Sequence, residues 1–181
     1  MLIAMPSATD TQIDQKHSAN ASPILILGYG NVDRQDDGVA WHILAGLARR
    51  LGGQPPGSPD EEFDTADQNV DLLFVLQLMP EIAETIAQYE RVCFVDAHTG
   101  AVPDDVNVQE LSSEFQSSPF THHMTASTLL SVAETLYHRA PQAILVSVRG
   151  YEFGFARSLS NRTAALAEEA AGLIEKWLKS A

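Results

Sequence analysis

Four compact apolar runs recur along the chain, and stretches with helical spacing lie between them. Ile24-Leu25-Ile26-Leu27 stands between Pro23 and Gly28, and Val70 to Leu76, Val92 to Val95 and Ala143 to Val148 are built the same way. Such runs, apolar at successive positions, read as strands buried on both faces, as in a parallel sheet. After the first run, Val39, Ile43, Leu44 and Leu47 follow helical spacing to about Arg50. Asp36 or Asp37 is expected to cap that helix. Pro80 suits the first turn of a second helix, with Ile82, Ile86 and Tyr89 as its buried stripe. Val106 to Leu111 alternates as an edge strand does, and a weaker strand is expected near Phe63. A third helix is expected over Thr125 to Tyr137, and Ser160 is expected to cap a last one rich in Ala and Glu. The order β-α-β-α-β-β-α-β-α predicts one α/β domain: a mainly parallel sheet of about five strands between helices.

Residues 1–22 are mostly polar and read as a loose N-terminal tail before a single domain over 23–181. They lack the cationic start and continuous apolar core of a secretory signal. The net charge of −13 and the absence of any Lys/Arg cluster argue against nucleic-acid binding. No apolar run reaches membrane-spanning length, so a cytoplasmic protein is expected. The one cysteine, Cys93, sits inside an apolar run and reads as a buried, inert thiol.

In a sheet of this kind ligands bind beyond the carboxyl ends of the strands, where the strand order reverses. Asp36 and Asp37 follow the first strand and its Gly28-Tyr29-Gly30-Asn31 loop, and Asp96 ends the third apolar run. His122 and His123 precede a helix and are placed to close over the same edge. Two carboxylates and an imidazole suit a divalent transition ion such as nickel, zinc or manganese. Each also has a plain structural reading: a helix cap for Asp37, a turn former for Asp96, ordinary surface for the histidines. A dinucleotide site is disfavoured because the third glycine of its fingerprint is replaced by Asp33. Neither a G-x-S-x-G elbow nor an H-E-x-x-H helix is present.

Gly28-Tyr29-Gly30-Asn31 followed by Asp36-Asp37-Gly38-Val39 resembles the N-terminal signature of the hydrogenase maturation endopeptidases. Gln77-Leu78-Met79-Pro80-Glu81, Phe94-Val95-Asp96-Ala97, His122 with Met124, Pro141 and Leu159-Ser160 are similar to further elements of that family, in the same order. The resemblance implies a phosphorylase/hydrolase-like α/β fold. It also implies an aspartic-type endopeptidase that removes the C-terminal peptide from the large-subunit precursor of a NiFe hydrogenase after nickel insertion. The nickel is the substrate's, and no organic cofactor is implied. By motif position, Asp37, Asp96 and His122 correspond to the residues that read this nickel, with His123 as the other choice for the last. Asp37 and Asp96 are the expected catalytic positions, and Gly30, Asn31, Asp36 and Gln77 are expected to bind substrate. The first ligand position is often Glu in the family and is Asp37 here. A monomer with no membrane insertion is expected. Two rivals stand beside this reading: a non-catalytic nickel or precursor-binding chaperone that uses the same ligands, and a general metallopeptidase with its own zinc.

Overall fold

The computed structural model describes residues 23–100, 102–114 and 124–180. The tail 1–22, His122 and His123 therefore lie outside the described residues. Strands β1 (Ile24–Tyr29), β2 (Val70–Val75), β3 (Arg91–His98), β4 (Val106–Leu111) and β5 (Gln142–Arg149) form one sheet in the order β2-β1-β3-β5-β4. All neighbours are parallel except β4, which runs antiparallel along β5 as the outer strand. The reading from apolar runs and from the alternation at Val106 to Leu111 agrees with this sheet. The chain moves from β1 outward to β2, then returns past β1 to β3. The strand order thus reverses at the β1–β3 boundary, which is where an open α/β sheet leaves a crevice.

Helices α1 (Val39–Arg50) and α4 (Asn161–Leu178) cover one face of the sheet, and α2 (Ile82–Ile86) and α3 (Ala126–Tyr137) cover the other. The alternation of side chains along β1 explains why both faces need cover. Ile24 and Ile26 pack with Val39, Ile43, Leu44 and Leu47 of α1 and Ala170 and Ile174 of α4. Leu25 and Leu27 point the other way and meet Ile86 of α2 and Leu129 and Leu130 of α3. Leu25, Ile26 and Leu27 are at most 1% exposed, so truncating any one to Ala is expected to cost about 2–5 kcal/mol. Cys93 lies in the first of these clusters at 0% exposure, and burial pushes its thiol well above the ordinary range.

The helix starts differ in their chemistry. Thr125 caps α3 by accepting from the Thr128 N–H at 3.2 Å, and Ser160 caps α4 by accepting from the Thr163 N–H at 3.3 Å. The first helix is not capped by Asp36 or Asp37. These residues sit in a 3-10 turn, Gln35–Gly38, and Gly38 stands at the start of α1 with no side-chain cap. The carboxylates are engaged elsewhere, as described below. Phe63 is not in a strand: it belongs to the long connection before β2 and packs partly against the α1 side of the core.

Candidate functional site

Tyr29 and Asp96 form the outermost rung at the β1–β3 boundary. The ladder pairs Gly28 with Val95, so the next residue out on each strand is Tyr29 or Asp96. Alternation places both on the α2/α3 side, in phase with Leu25, Leu27, Val92 and Phe94. The Tyr29 hydroxyl donates to the Asp96 carboxylate. Burial raises the Asp96 pKa to about 7, even though the Ala97 N–H (2.7 Å) and Tyr29 bond to the ionised form and oppose the rise. The nearby Asp37 charge pushes it further up. Burial, joined by the Asp96 charge, drives the Tyr29 hydroxyl far above its usual range, so this phenol keeps its proton.

Asp37 reaches this place because the β1–α1 loop is unusually tight. Gly30 has φ +139°, and a Cβ there would lie 2.2 Å from the Asp37 carbonyl oxygen. Only glycine permits both the conformation and the approach. The Asn31 N–H then donates to Asp37 Oδ2 at 3.0 Å, while the Asn31 side chain accepts from the Asp33 N–H at 3.0 Å. Gly30 and Asn31, expected to bind substrate, thus directly support Asp37. Gln77 is exposed just beyond β2, at the same end of the sheet, and no hydrogen bond joins it to either carboxylate among the described residues.

Asp36, expected in the substrate cleft, is 0% exposed and faces away from it. Its Oδ1 accepts from the Ser160 N–H at 2.7 Å. Its Oδ2 accepts from the Tyr151 N–H at 2.8 Å, the Glu152 N–H at 2.9 Å and the Ser160 hydroxyl at 2.7 Å. The Thr163 hydroxyl lies 2.8 Å from Oδ2 and 3.1 Å from the Arg149 carbonyl oxygen, and can give its proton to either. Burial alone would raise the Asp36 pKa, but the donors of Ser160, Tyr151 and Glu152 override it and hold it at about 2. The adjacent Asp-Asp pair therefore divides its work. Asp36 is a buried anion that ties the 3-10 turn to the segment before α4, and Asp37 is the half-buried carboxylate turned toward Asp96.

Two residues at this edge were passed over in the sequence. Tyr29 had no signal beyond its place at the end of an apolar run. His98 lies two residues beyond Asp96 on the same face of β3. Its Nδ1 accepts from the Gly100 N–H at 3.1 Å, which leaves the hydrogen on Nε2, buried and without a partner among the described residues. The described residues contain no group of three or more His, Cys, Asp and Glu placed to hold a metal ion. Of the three expected ligands, Asp37 and Asp96 lie at this edge, and His122 lies outside the described residues.

No family model matches the chain, and neither does any curated protein. Solved structures do. The hydrogenase maturating endopeptidase HybD from E. coli has a TM-score of 0.67 at 18% identity, covering 87% of this chain and 93% of that one. The [NiFe] hydrogenase maturation protease HycI from Thermococcus kodakarensis has a TM-score of 0.62 at 19% identity, over 89% of this chain and 95% of that one. A hydrogenase 2 maturation peptidase from a Thaumarchaeota archaeon has a TM-score of 0.57 at 18% identity, over 86% and 97%. At such low identity the likeness speaks to architecture, and it extends over nearly the whole length of each relative. The chain has the fold of the hydrogenase maturation endopeptidases.

Proposed function

We propose that this protein is an endopeptidase that removes a C-terminal peptide from the nickel-loaded large-subunit precursor of a NiFe hydrogenase. Asp37, Asp96 and His122 read the substrate's nickel, with His123 as the alternative histidine. The observation that carries the reading is the pairing of Asp37 and Asp96 at the sheet's reversal point, where burial and mutual repulsion hold Asp96 near pKa 7. A dication brought by the substrate relieves that repulsion and replaces the proton. The nickel then fixes the scissile bond over the cleft, supplying orientation that the peptide alone lacks. A carboxyl group that titrates near neutrality is also suited to exchanging a proton with the reacting bond. Tyr29 keeps Asp96 aimed, and Gly30 and Asn31 keep Asp37 in place. The fold shared with hydrogenase maturation proteases supports the choice of substrate.

The test is intact mass spectrometry of nickel-loaded and nickel-free precursor after incubation with the protein. Loss of one C-terminal peptide from the loaded form alone is expected. Asp37→Asn, Asp96→Asn and His122→Ala should each slow that loss by about 100-fold or more. A precursor that binds without losing mass would instead make this a chaperone. Stoichiometric zinc in the purified protein, with cleavage indifferent to nickel, would make it a general metallopeptidase.

A further inference from the structure

Among the described residues the outer edge of β2 is unpaired, and it lines a cleft. Ile24 N–H donates to the Asn69 carbonyl at 2.8 Å and Gly30 N–H donates to the Val75 carbonyl at 3.2 Å. Odd-numbered residues of β2 thus turn their main-chain groups toward β1, and even-numbered ones turn them away. Val70 confirms the phase, because its outward carbonyl accepts from the Thr65 hydroxyl at 2.9 Å. Leu72, Phe74 and Leu76 follow the same phase. Among the described residues no hydrogen bond reaches their outward N–H and C=O groups, and Leu76 is 65% exposed. These residues border a cleft of about 560 Å³, with segment 59–63 and the start of the β1–α1 loop also lining it.

Exposed strand edges are normally blunted by lysine, proline, bulges or short length. β2 has no lysine, proline or bulge and a single charge, Asp71: Val70-Asp71-Leu72-Leu73-Phe74-Val75 is otherwise apolar and pairs with β1 in unbroken register. β4, the other outer strand, carries Asn107, Gln109 and Glu110. The cleft is also charged. Asp33, Asp60, Glu61 and Glu62 line it against a single cation, Arg157, which is already paired with Asp33 at 2.6 Å. Asp60, Glu61 and Glu62 are exposed; Asp60 also feels the Arg157 charge and the Gly57 N–H donates to Glu61 at 3.1 Å, but four carboxylates against one guanidinium leave the lining acidic.

We propose that an extended basic segment of the substrate polypeptide docks here as an added strand on the free edge of β2. Its main chain pairs with Leu72, Phe74 and Leu76, and its Lys or Arg side chains meet Asp60, Glu61 and Glu62. Strand addition gains affinity from main-chain bonds and selectivity from the side chains around them. Gly30 and Asn31, the residues that hold Asp37, also line the cleft. An added strand would run three strand spacings from β3, about 14 Å, so about four extended residues carry the peptide from the cleft to Asp96. The identity of the segment rests on the proposed function, and the docking itself does not.

The experiment uses the full chain, labelled with nitrogen-15, and a blocked octapeptide of alternating Lys and Val as the probe. Amide shifts are expected at Leu72, Phe74 and Leu76 and to be smaller at Leu73 and Val75. The Glu/Val counterpart, and a Lys/Val peptide N-methylated at every residue, should bind at least about tenfold more weakly. Reversing the exposed loop with Asp60→Lys, Glu61→Lys and Glu62→Lys should invert the charge preference without unfolding the chain. Equal binding of the methylated peptide, shifts spread over other surfaces, or no binding would overturn the proposal. So would shifts at these amides on dilution of the protein alone, which assign the edge to a second copy. Binding that appears only after removal of residues 1–22 would assign it to the chain's own N-terminal segment and overturn it likewise. Neither precursor nor nickel enters this assay. Cleavage without probe binding defeats the docking inference alone, and probe binding without cleavage defeats the proposed function alone.

Discussion

Replacing Asp36 by Asn tests whether a buried charge holds the site together. The amide has the same shape but one acceptor fewer. With its oxygen in the place of Oδ2, its NH2 group faces the Ser160 N–H, now 2.7 Å away donor to donor. With the orientation reversed, it confronts the N–H groups of Tyr151 and Glu152 instead. At least one buried N–H is left unmade, at about 1–3 kcal/mol, and the charge-assisted character of the other bonds is lost. A destabilisation of about 2–4 kcal/mol at pH 7 is expected from urea unfolding followed by circular dichroism. The pH dependence sharpens the test. The folded-state pKa of Asp36 is held at about 2 against an ordinary 3.8. Its stabilisation is therefore complete above pH 3.8 and is lost as the pH falls through about 2. At about 1.4 kcal/mol per pH unit, this difference corresponds to about 2.5 kcal/mol. The gap between wild type and Asp36→Asn should narrow by that amount on acidification, over whatever part of the range both remain folded. A gap below about 0.5 kcal/mol at pH 7, or one that stays constant below pH 4, would refute the reasoning.

Gly30→Ala places a Cβ against the Asp37 carbonyl and should cost about 2 kcal/mol or more in urea unfolding while displacing Asp37 from the Asn31 N–H. A variant as stable as wild type would show that the loop has room to move. Titration of the Asp96 carboxyl carbon by NMR should give a midpoint near 7, lowered by Asp37→Asn, which removes a like charge, and raised by Tyr29→Phe, which removes a donor to the ionised form. An ordinary carboxylate midpoint in the wild type would dissolve the electrostatic case for the site. Because the folded state holds this proton longer than an unfolded Asp does, Asp96 lowers stability as the pH rises from about 4 to 7. Cys93 should be inert to a thiol reagent in the native protein and react at once in urea; rapid native labelling would contradict its burial.

Features that depend on neighbours in sequence were easier to read than those that depend on neighbours in space. Ile24 to Leu27 and Ala143 to Val148 are legible as strands because burial on both faces removes polar residues from successive positions. Ser160 is legible as a cap because its partner, Thr163, is one turn away. Asp36 is not legible as a buried anion, and it is not the helix cap expected of it, for the opposite reason: its donors lie 115 to 127 residues downstream. No local pattern distinguishes it from Asp37, yet one is fully buried and the other is turned toward Asp96. Asp96 stood out as an acidic end to an apolar run, but the Tyr29 hydroxyl beside it depends on the register of β1 against β3. The missing fingerprint glycine was informative as well. Asp33 stands where a pyrophosphate would need close approach, and it pairs with Arg157 instead.

The bond set around Asp36 also bears on when the protein becomes competent during its own synthesis. A ribosome that has delivered β1 to β3 has made both Asp37 and Asp96, but not Tyr151, Glu152, Ser160 or Thr163. Until those emerge, Asp36 lacks the protein donors that tie its turn to the segment before α4, and only the local bonds of the loop hold Asp37. Chains normally fold from the N-terminus onward as they are made, yet here the earliest loop is completed by nearly the last helix. A chain that stops before α4 thus lacks the bonds that anchor the turn next to Asp37, and the last of them is made only when Thr163 has emerged.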